Sequence, residues 1–335
     1  MSQIAVSFGS HVIYWSSIVI LLAVAACFTL TYALFTAHGG RGAALWLLLP
    51  IAVALSVLLS RFLHWYCHEE QYAGFWRAMT DYRSGGYCMS GVLLGTALAV
   101  LLVRLLGFTS NARRLFDCLA PGAALGIGLI RLSCLFNTAD RSKILIKSRF
   151  LQHTPLASGI PTVSGEIEYR FATFFAQFLA MALLFFLLLR FFNERRRYPM
   201  KGGQPRDGHV GLMFLIGYSA SELVLDSTRY DASFARFNGF VSMVQIISAV
   251  TLLAVLILYS VRSIRANGFQ ARHWLLWVAF LLTVAGTGIL EYFVQRLNAY
   301  LLCYGGMCVT CALTALVDYR LYLTVCDDRP HRRQT

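Results

Sequence analysis

Nine apolar stretches of about 20 residues recur along the whole of this 335-residue chain. Roughly 20 mainly apolar residues in a helix are needed to cross the hydrocarbon core of a bilayer. Hydrophobic residues make up 58% of the chain and charged residues 13%, against about 25% charged in soluble proteins. The sequence therefore predicts an all-α, polytopic transmembrane helical bundle. The predicted spans lie near 12–36, 44–66, 88–108, 114–136, 170–193, 209–229, 239–261, 273–294 and 299–323.

Basic residues set the expected orientation of these spans. The formal net charge is +13, and in a polytopic protein such an excess indicates cytoplasmic loops that face anionic lipid rather than nucleic acid. The densest basic block, 190–206, is expected on the cytoplasmic side. Crossing the membrane nine times then places the N-terminus outside and the C-terminus inside.

The fourth predicted span carries an arginine within the run GIGLIRLSCLFNTADR (126–141). A charge at bilayer depth is costly unless a partner compensates it. Arg131 either pairs with Glu222 or Asp226, or binds a lipid phosphate, since a guanidinium offers a bidentate fork to phosphate oxygens. The two interpretations are compatible. Asn137 lies close by and is a candidate amide donor to the same headgroup.

The sixth predicted span is the poorest in hydropathy because polar groups interrupt YSASELVLDSTR (218–229). Tyr218, Glu222 and Asp226 follow one another at four-residue spacing, and Arg229 comes three residues later. On a helix these side chains share one face. They form either an ion-pair network that holds helices together or a polar cavity for a lipid headgroup, and intramembrane ionisable residues favour the functional interpretation.

Cysteines and glycines are weaker signals. The run CYGGMCVTC (303–311) contains a Cys-x-x-Cys spacing without a second pair or a nearby histidine. A zinc site requires four ligands, so we expect no metal at this run. The segment GGYCMSGVLLG (85–95) and the segment SMVQIIS (242–248) carry little information by themselves.

The order of these stretches nevertheless resembles the bacterial prolipoprotein diacylglyceryl transferase family. The resemblance covers roughly residues 5–262 and leaves the last two spans outside. The family's Asp…Ala-Pro…Gly…Arg-Leu-Gly-x-Phe-x-Asn signature is the most specific part. It is matched by Asp117, Ala120-Pro121, Gly126, Arg131-Leu132-Ser133 and Phe136-Asn137, with support from 85–95, from Tyr218 through Arg229, and from Met243, Gln245 and Ser248.

The resemblance implies a fold, a location and an activity, and it implies no metal or organic cofactor. It implies a transferase-like transmembrane core over residues 1–265, followed by an additional C-terminal helix pair and basic tail over 266–335. The protein is then expected in the bacterial cytoplasmic membrane. The implied reaction moves a diacylglyceryl group from phosphatidylglycerol, or another anionic phospholipid, to the cysteine thiol of a prolipoprotein lipobox and releases glycerol phosphate.

The resemblance also implies roles for individual residues. Phosphate neutralisation at the leaving group and a base for the thiol are the chemical needs of such a transfer. Arg131 and Arg229 would hold the phosphate. Asn137, with Ser90 and Gly91 at the start of the third span, would shape the headgroup site. On the polar face of the sixth span, Tyr218, Glu222 and Asp226 would orient groups and move the proton.

Four family positions are replaced in this sequence. The family's histidine falls on Ser90, its second glycine on Val92, its late-segment arginine on Glu222 and its fifth-span carboxylate on Gln177. These replacements leave two alternatives open. One is a diverged protein that binds a lipid or lipoprotein without catalysis, and the other is a lipid transferase with a different acceptor, in which Glu222 is a new base.

Overall fold

Helices dominate the computed structural model, which describes residues 3–8, 11–81, 85–137, 140–162, 166–194, 200, 207–235, 238–297 and 299–326. Among these residues, eight helices are long and apolar enough to cross a membrane. They coincide with eight of the nine predicted spans, and the remaining span is a shorter apolar helix of 17 residues. The polytopic all-α fold is therefore confirmed. In chain order the helices are α1 (Trp15–Ala37), α2 (Gly42–Cys67), α3 (Phe75–Thr80), α4 (Met89–Leu105), α5 (Ala112–Leu132), α6 (Arg149–Gln152), α7 (Thr173–Glu194), α8 (His209–Thr228), α9 (Met243–Asn267), α10 (Ala271–Arg296) and α11 (Tyr300–Val325).

The central position in the bundle belongs to α8, the helix with the lowest mean hydropathy of the eight. Of its span, 67% is buried inside the protein, whereas the figure is 17% for α1, α2 and α10. The peripheral helices turn large apolar side chains outward, with Leu21 and Leu301 70% and 91% exposed, as expected of surfaces that face lipid. A helix enclosed by other helices can carry polar side chains without exposing them to hydrocarbon.

Close packing of the helices depends on small residues. A Cβ atom on Gly91 of α4 would lie 2.3 Å from the Cα of Ser60 in α2, so the two backbones are in contact there. Across α5, a Cβ atom on Gly126 would lie 3.0 Å from the Cβ of Cys27 in α1. Gly126, which precedes Arg131 on α5, thus permits the close packing of α5 against α1.

In the part of the chain that the structure describes, three short antiparallel hairpins lie at one end of the bundle. They are β1 (Ile4–Phe8) with β2 (His11–Tyr14), β3 (Ala157–Pro161) with β4 (Ile167–Phe171), and β5 (Phe234–Ala235) with β6 (Asn238–Ser242). Since the helices alternate in direction, this end also holds the C-termini of α5 and α8. The hairpins were not predicted from the sequence, because hydropathy locates spans and says little about the connections between them.

The added helix pair α10–α11 packs against α8 and α9. Buried apolar side chains of all four helices form one continuous core, which includes Leu223, Leu252, Phe280 and Met307. The hydroxyl of Tyr304 in α11 also donates to the backbone carbonyl of Ser227 in α8, at 3.1 Å. The division of the chain at residue 265 stays a prediction, and that position lies inside α9.

Candidate functional site: an arginine–carboxylate cluster

Five largely buried charged side chains meet where α5 and α8 end, and the more exposed Asp231 also pairs with one of them, Arg229, at 3.1 Å. Arg131 lies in the last turn of α5, Glu222 and Asp226 lie on α8, and Arg229 is the residue that ends α8. The fifth member, Asp140, belongs to the connection between α5 and α7. We call these five residues the arginine–carboxylate cluster. All are largely buried, with side-chain exposures from 0% for Asp226 to 16% for Arg229.

Asp140 joins the two arginines. One of its oxygens, Oδ2, lies 2.7 Å from Nη1 of Arg131, and the other, Oδ1, lies 2.6 Å from Nη2 of Arg229. Arg131 also points its Nη2 at Oε1 of Glu222, at 3.5 Å. Two guanidinium groups that would otherwise repel each other are therefore held side by side.

The backbone of Asp140 is unusual. Its φ angle is +54°, in the left-handed region that few residues other than glycine adopt and that aspartate tolerates better than most. Its amide donates to Oδ2 of Asp231, at 3.2 Å. Burial by itself would raise the pKa of the Asp140 carboxyl, but the Arg131 and Arg229 guanidiniums outweigh this effect and lower the pKa to about 2. At neutral pH Asp140 is thus an anion within the cluster.

The segment after Asp140 is anchored on both sides by backbone hydrogen bonds. The amide of Lys143 donates to the carbonyl of Thr228 at the end of α8, at 2.9 Å, and the amide of Ser142 donates to Phe171 at the end of β4, at 3.1 Å. In the opposite direction, the backbone amide of Tyr230 donates a hydrogen bond to the carbonyl of Arg141, at 2.8 Å. These contacts fix the connection against α8 and so determine where Asp140 meets the arginines.

Glu222 is bound from a neighbouring helix by Gln177 of α7. The Nε2 amide of Gln177 lies 3.2 Å and 3.0 Å from the two carboxylate oxygens of Glu222. Both side chains are 1% exposed. Gln177 and Glu222, two of the positions at which the resemblance predicts a replaced family residue, are therefore in direct contact.

Asp226 has a different set of partners. Its Oδ1 lies 3.3 Å from Nη1 of Arg229, and its Oδ2 accepts a hydrogen bond from the hydroxyl of Ser242. Ser242 is the N-cap of α9 and forms a reciprocal capping box with Gln245. The start of α9 thus reaches the cluster through Ser242.

Three polar atoms at this site are buried and have no hydrogen-bond partner among the described residues. They are the hydroxyl of Tyr218, Nε of Arg131 and Oε1 of Gln177. An unsatisfied buried polar group costs about 1–3 kcal/mol. A purely structural ion-pair network would gain by satisfying these atoms, so their presence favours a site whose partners come from a ligand.

The structure brings together most of the residues that the sequence singled out. Arg131, Glu222, Asp226 and Arg229 lie in one network, and Tyr218 lies one turn from Glu222 on α8. Of the two carboxylates considered as partners of Arg131, the structure pairs it with Glu222. Asp140 was missed because nothing in its local sequence distinguishes it from an ordinary loop aspartate.

The remaining candidates are Asn137, Ser90 and Gly91. The backbone carbonyl of Asn137 accepts a hydrogen bond from Arg141, at 2.6 Å. Ser90 is 3% exposed in the first turn of α4, and Gly91 packs against α2. Their assignment to the headgroup site stays a prediction. No group of three or more His, Cys, Asp or Glu side chains suited to a metal ion occurs within the described ranges.

Comparison with known proteins adds a family to this geometry. The sequence model of a family described as prolipoprotein diacylglyceryl transferase matches residues 3–261. Similar proteins include the phosphatidylglycerol–prolipoprotein diacylglyceryl transferases of Vibrio vulnificus (29% identical), Yersinia enterocolitica (27%) and Serratia proteamaculans (28%). Each alignment covers 52% of this chain and 58% to 62% of the relative, so the chain spans less than two-thirds of their length.

Proposed function

Because this chain belongs to the prolipoprotein diacylglyceryl transferase family, we propose that it transfers a diacylglyceryl group from phosphatidylglycerol to the cysteine thiol of a prolipoprotein lipobox. It is a multi-pass membrane protein, so both the lipid and a membrane-inserted prolipoprotein have direct access to it. The activity is the one named in the relatives with which it aligns.

The observation that carries this proposal is the pair of guanidiniums on Asp140. Arg131 and Arg229 are held by opposite oxygens of one carboxylate, at 2.7 Å and 2.6 Å. A lipid phosphate presents oxygens in a similar arrangement and binds guanidinium groups bidentately. Arg229 is the more exposed of the two arginines, at 16%, so phosphate contacts it first. The phosphate then shares both guanidiniums with Asp140.

The proposed reaction makes one bond and breaks one. The thiol sulfur bonds to the glyceryl carbon that carries the phosphate ester, the carbon–oxygen bond breaks, and the electron pair leaves on the phosphate oxygen of glycerol phosphate. The two arginines stabilise the charge that develops on this leaving group. The thiol proton must go to a base, because the thiolate is the nucleophile.

Glu222 is the carboxylate best placed to accept that proton. Asp226 accepts a hydrogen bond from the Ser242 hydroxyl and pairs with Arg229. Glu222 instead accepts from the Gln177 amide and lies 3.5 Å from Arg131. The hydroxyl of Tyr218, which has no partner among the described residues, lies one turn away on the same helix. Tyr218 orients the thiol, and Asp226 holds Arg229 in position. Asn137, Ser90 and Gly91 complete the headgroup site in this proposal.

Purified protein in vesicles provides the test. A lipobox peptide incubated with phosphatidylglycerol vesicles should gain the mass of one diacylglyceryl group. Vesicles of phosphatidylcholine, whose headgroup places a cation beside the phosphate, should give no product, and a peptide with serine in place of the cysteine should stay unmodified. Equal labelling of the cysteine and serine peptides would contradict a thiol acceptor.

The proposed orientation places the cluster at the outer face of the bacterial cytoplasmic membrane. α7 ends at the opposite end of the bundle from the cluster, and the basic block 190–206 overlaps and follows this end in the sequence. An excess of basic residues indicates the cytoplasmic side. In intact cells a membrane-impermeant maleimide should therefore label His153→Cys and leave Met200→Cys unlabelled, with the unmodified protein as the background for its nine native cysteines. Labelling of residue 200 but not of residue 153 would reverse the orientation.

A further inference from the structure

A buried carboxylate from the added helix pair reaches toward the cluster. Glu291 of α10 is 3% exposed, and its Oε2 accepts a hydrogen bond from Nε2 of Gln245, at 3.0 Å. Gln245 lies in the first turn of α9. Residue 291 is outside the segment 3–261 that matches the family, so this contact comes from a part of the chain that the family match does not include.

The side-chain amide of Gln245 is fully engaged. Its Oε1 accepts from the backbone amide of Ser242, at 2.9 Å, and its Nε2 donates to the carbonyl of Leu223, at 3.0 Å, as well as to Glu291. An amide NH₂ group has two donors, and here each has a separate acceptor. Glu291 therefore fixes which way the amide of Gln245 points.

The orientation of Gln245 is passed on to the cluster by Ser242. The Ser242 hydroxyl oxygen accepts from the backbone amide of Gln245, at 3.1 Å, which leaves its proton free to be donated to Asp226. Asp226 in turn pairs with Arg229. An unbroken series of hydrogen bonds thus runs from α10 through α9 to the guanidinium that the proposed function assigns to phosphate.

Two further hydrogen bonds from α10 and α11 stabilise the segments next to this series of hydrogen bonds. Gln295 of α10 donates to the carbonyl of Phe240 in β6, at 3.0 Å, and Tyr304 of α11 donates to Ser227 in the last turn of α8. The helix pair therefore supports both the hairpin before α9 and the end of α8. Glu291 differs from Gln295 and Tyr304 because its partner, Gln245, is linked through Ser242 to the arginine–carboxylate cluster.

We infer that Glu291 is a positioning residue for the phosphate-binding arginine Arg229, acting through Gln245, Ser242 and Asp226. The inference rests on the proposed function for the meaning of that arginine. It assigns a role to the added helices: they complete the hydrogen-bonded support of a site whose charged groups all lie in the family segment. Glu291 touches neither substrate nor reacting atoms.

Three variants of the full chain test this role. Glu291→Leu removes the acceptor at similar volume, whereas Glu291→Gln keeps an oxygen that can accept from Gln245. Asp318→Asn is the control, because Asp318 is a buried carboxylate of α11 with no partner among the described residues. The measurements are the KM and kcat for phosphatidylglycerol in vesicles and the hydrogen exchange of the backbone amides of Ser242 and Gln245.

We expect Glu291→Leu to raise the KM for phosphatidylglycerol about tenfold and to change kcat less than about threefold, because a misplaced arginine weakens phosphate binding. The two amides should also exchange faster in this variant. In Glu291→Gln the KM for phosphatidylglycerol and the exchange of the two amides should stay close to the wild type, and Asp318→Asn should change neither.

Unchanged KM and unchanged exchange in Glu291→Leu would overturn the inference. So would equal effects of the leucine and glutamine variants, which would indicate a general packing role. If the wild type transfers no lipid, the proposed function fails, and the exchange data still decide whether Glu291 orders the start of α9.

Discussion

Replacing Arg131 by alanine is expected to lower diacylglyceryl transfer by about 30-fold to 1,000-fold. The loss of one charge-assisted bidentate contact to a developing phosphate charge costs about 2–4 kcal/mol. The change also removes the cation that pairs with Glu222 and one of the two that pair with Asp140, and breaking a buried ion pair from one side costs about 3–5 kcal/mol. Transfer and the temperature of unfolding in detergent should therefore both be measured.

Two companion variants separate catalysis from stability. Arg131→Lys keeps the positive charge between Asp140 and Glu222 but lacks the planar fork, so it should fold like the wild type and still lose about 100-fold in transfer. Arg190→Ala removes an arginine of an exposed pair with Glu194 at the far end of α7 and should leave transfer unchanged. Wild-type turnover by Arg131→Lys would contradict the phosphate clamp. A loss of stability without a loss of transfer per folded molecule would favour the structural ion-pair interpretation.

The substitution Glu222→Gln is expected to reduce transfer by about 10²-fold to 10⁴-fold, the usual contribution of a general base. Phosphatidylglycerol binding should change by less than about threefold, because Arg131 and Arg229 remain joined through Asp140. Binding is measured by sedimentation with phosphatidylglycerol vesicles, and transfer by the mass of the lipobox peptide.

A second carboxylate at the same end of the bundle provides the control for this prediction. Glu168→Gln changes a residue of β4 that pairs with Arg170. Phosphatidylglycerol binding and diacylglyceryl transfer should both stay at the wild-type level in this variant. Full transfer by Glu222→Gln would rule out Glu222 as the proton acceptor. Equal losses of binding and transfer would show that Glu222 acts through the position of Arg131 rather than on the thiol.

Much of the fold could be predicted because hydropathy and helix length are local properties. The spans near 12–36 and 239–261 need no partner to be recognised, since each is long enough and apolar enough by itself. The sixth span was identified as unusual from the spacing of Tyr218, Glu222 and Asp226, and its central, buried position explains why that spacing is tolerated.

The organisation of the site could be predicted in part. The four-residue spacing on α8 placed two carboxylates on one face, and Arg131 was expected to meet one of them. The position of Asp140 depends on its own left-handed backbone conformation and on one hydrogen bond to Asp231, 91 residues away. Neither follows from periodicity, because both depend on how a long connection folds back on α8.

The contacts of Ser242 and Glu291 were also beyond sequence reasoning. Gln245 and Ser248 were noted as a weak motif, but the capping box shows that Gln245 acts with Ser242 at the start of α9. Glu291 lies 46 residues from Gln245 in sequence and in a helix that the resemblance leaves outside. Long-range polar pairs of this kind are fixed by helix packing, which a single sequence does not encode in any short pattern.

The balance of the two products tests the central claim most directly. Phosphatidylglycerol labelled with deuterium in its terminal glycerol is supplied in vesicles to the purified protein with a lipobox peptide, and both products are quantified by mass spectrometry. The proposed mechanism predicts one labelled glycerol phosphate for each peptide that gains an unlabelled diacylglyceryl group through its sulfur, and no product from the serine peptide. Binding of the labelled lipid with neither product formed would contradict the transfer, as would glycerol phosphate release without modification of the peptide.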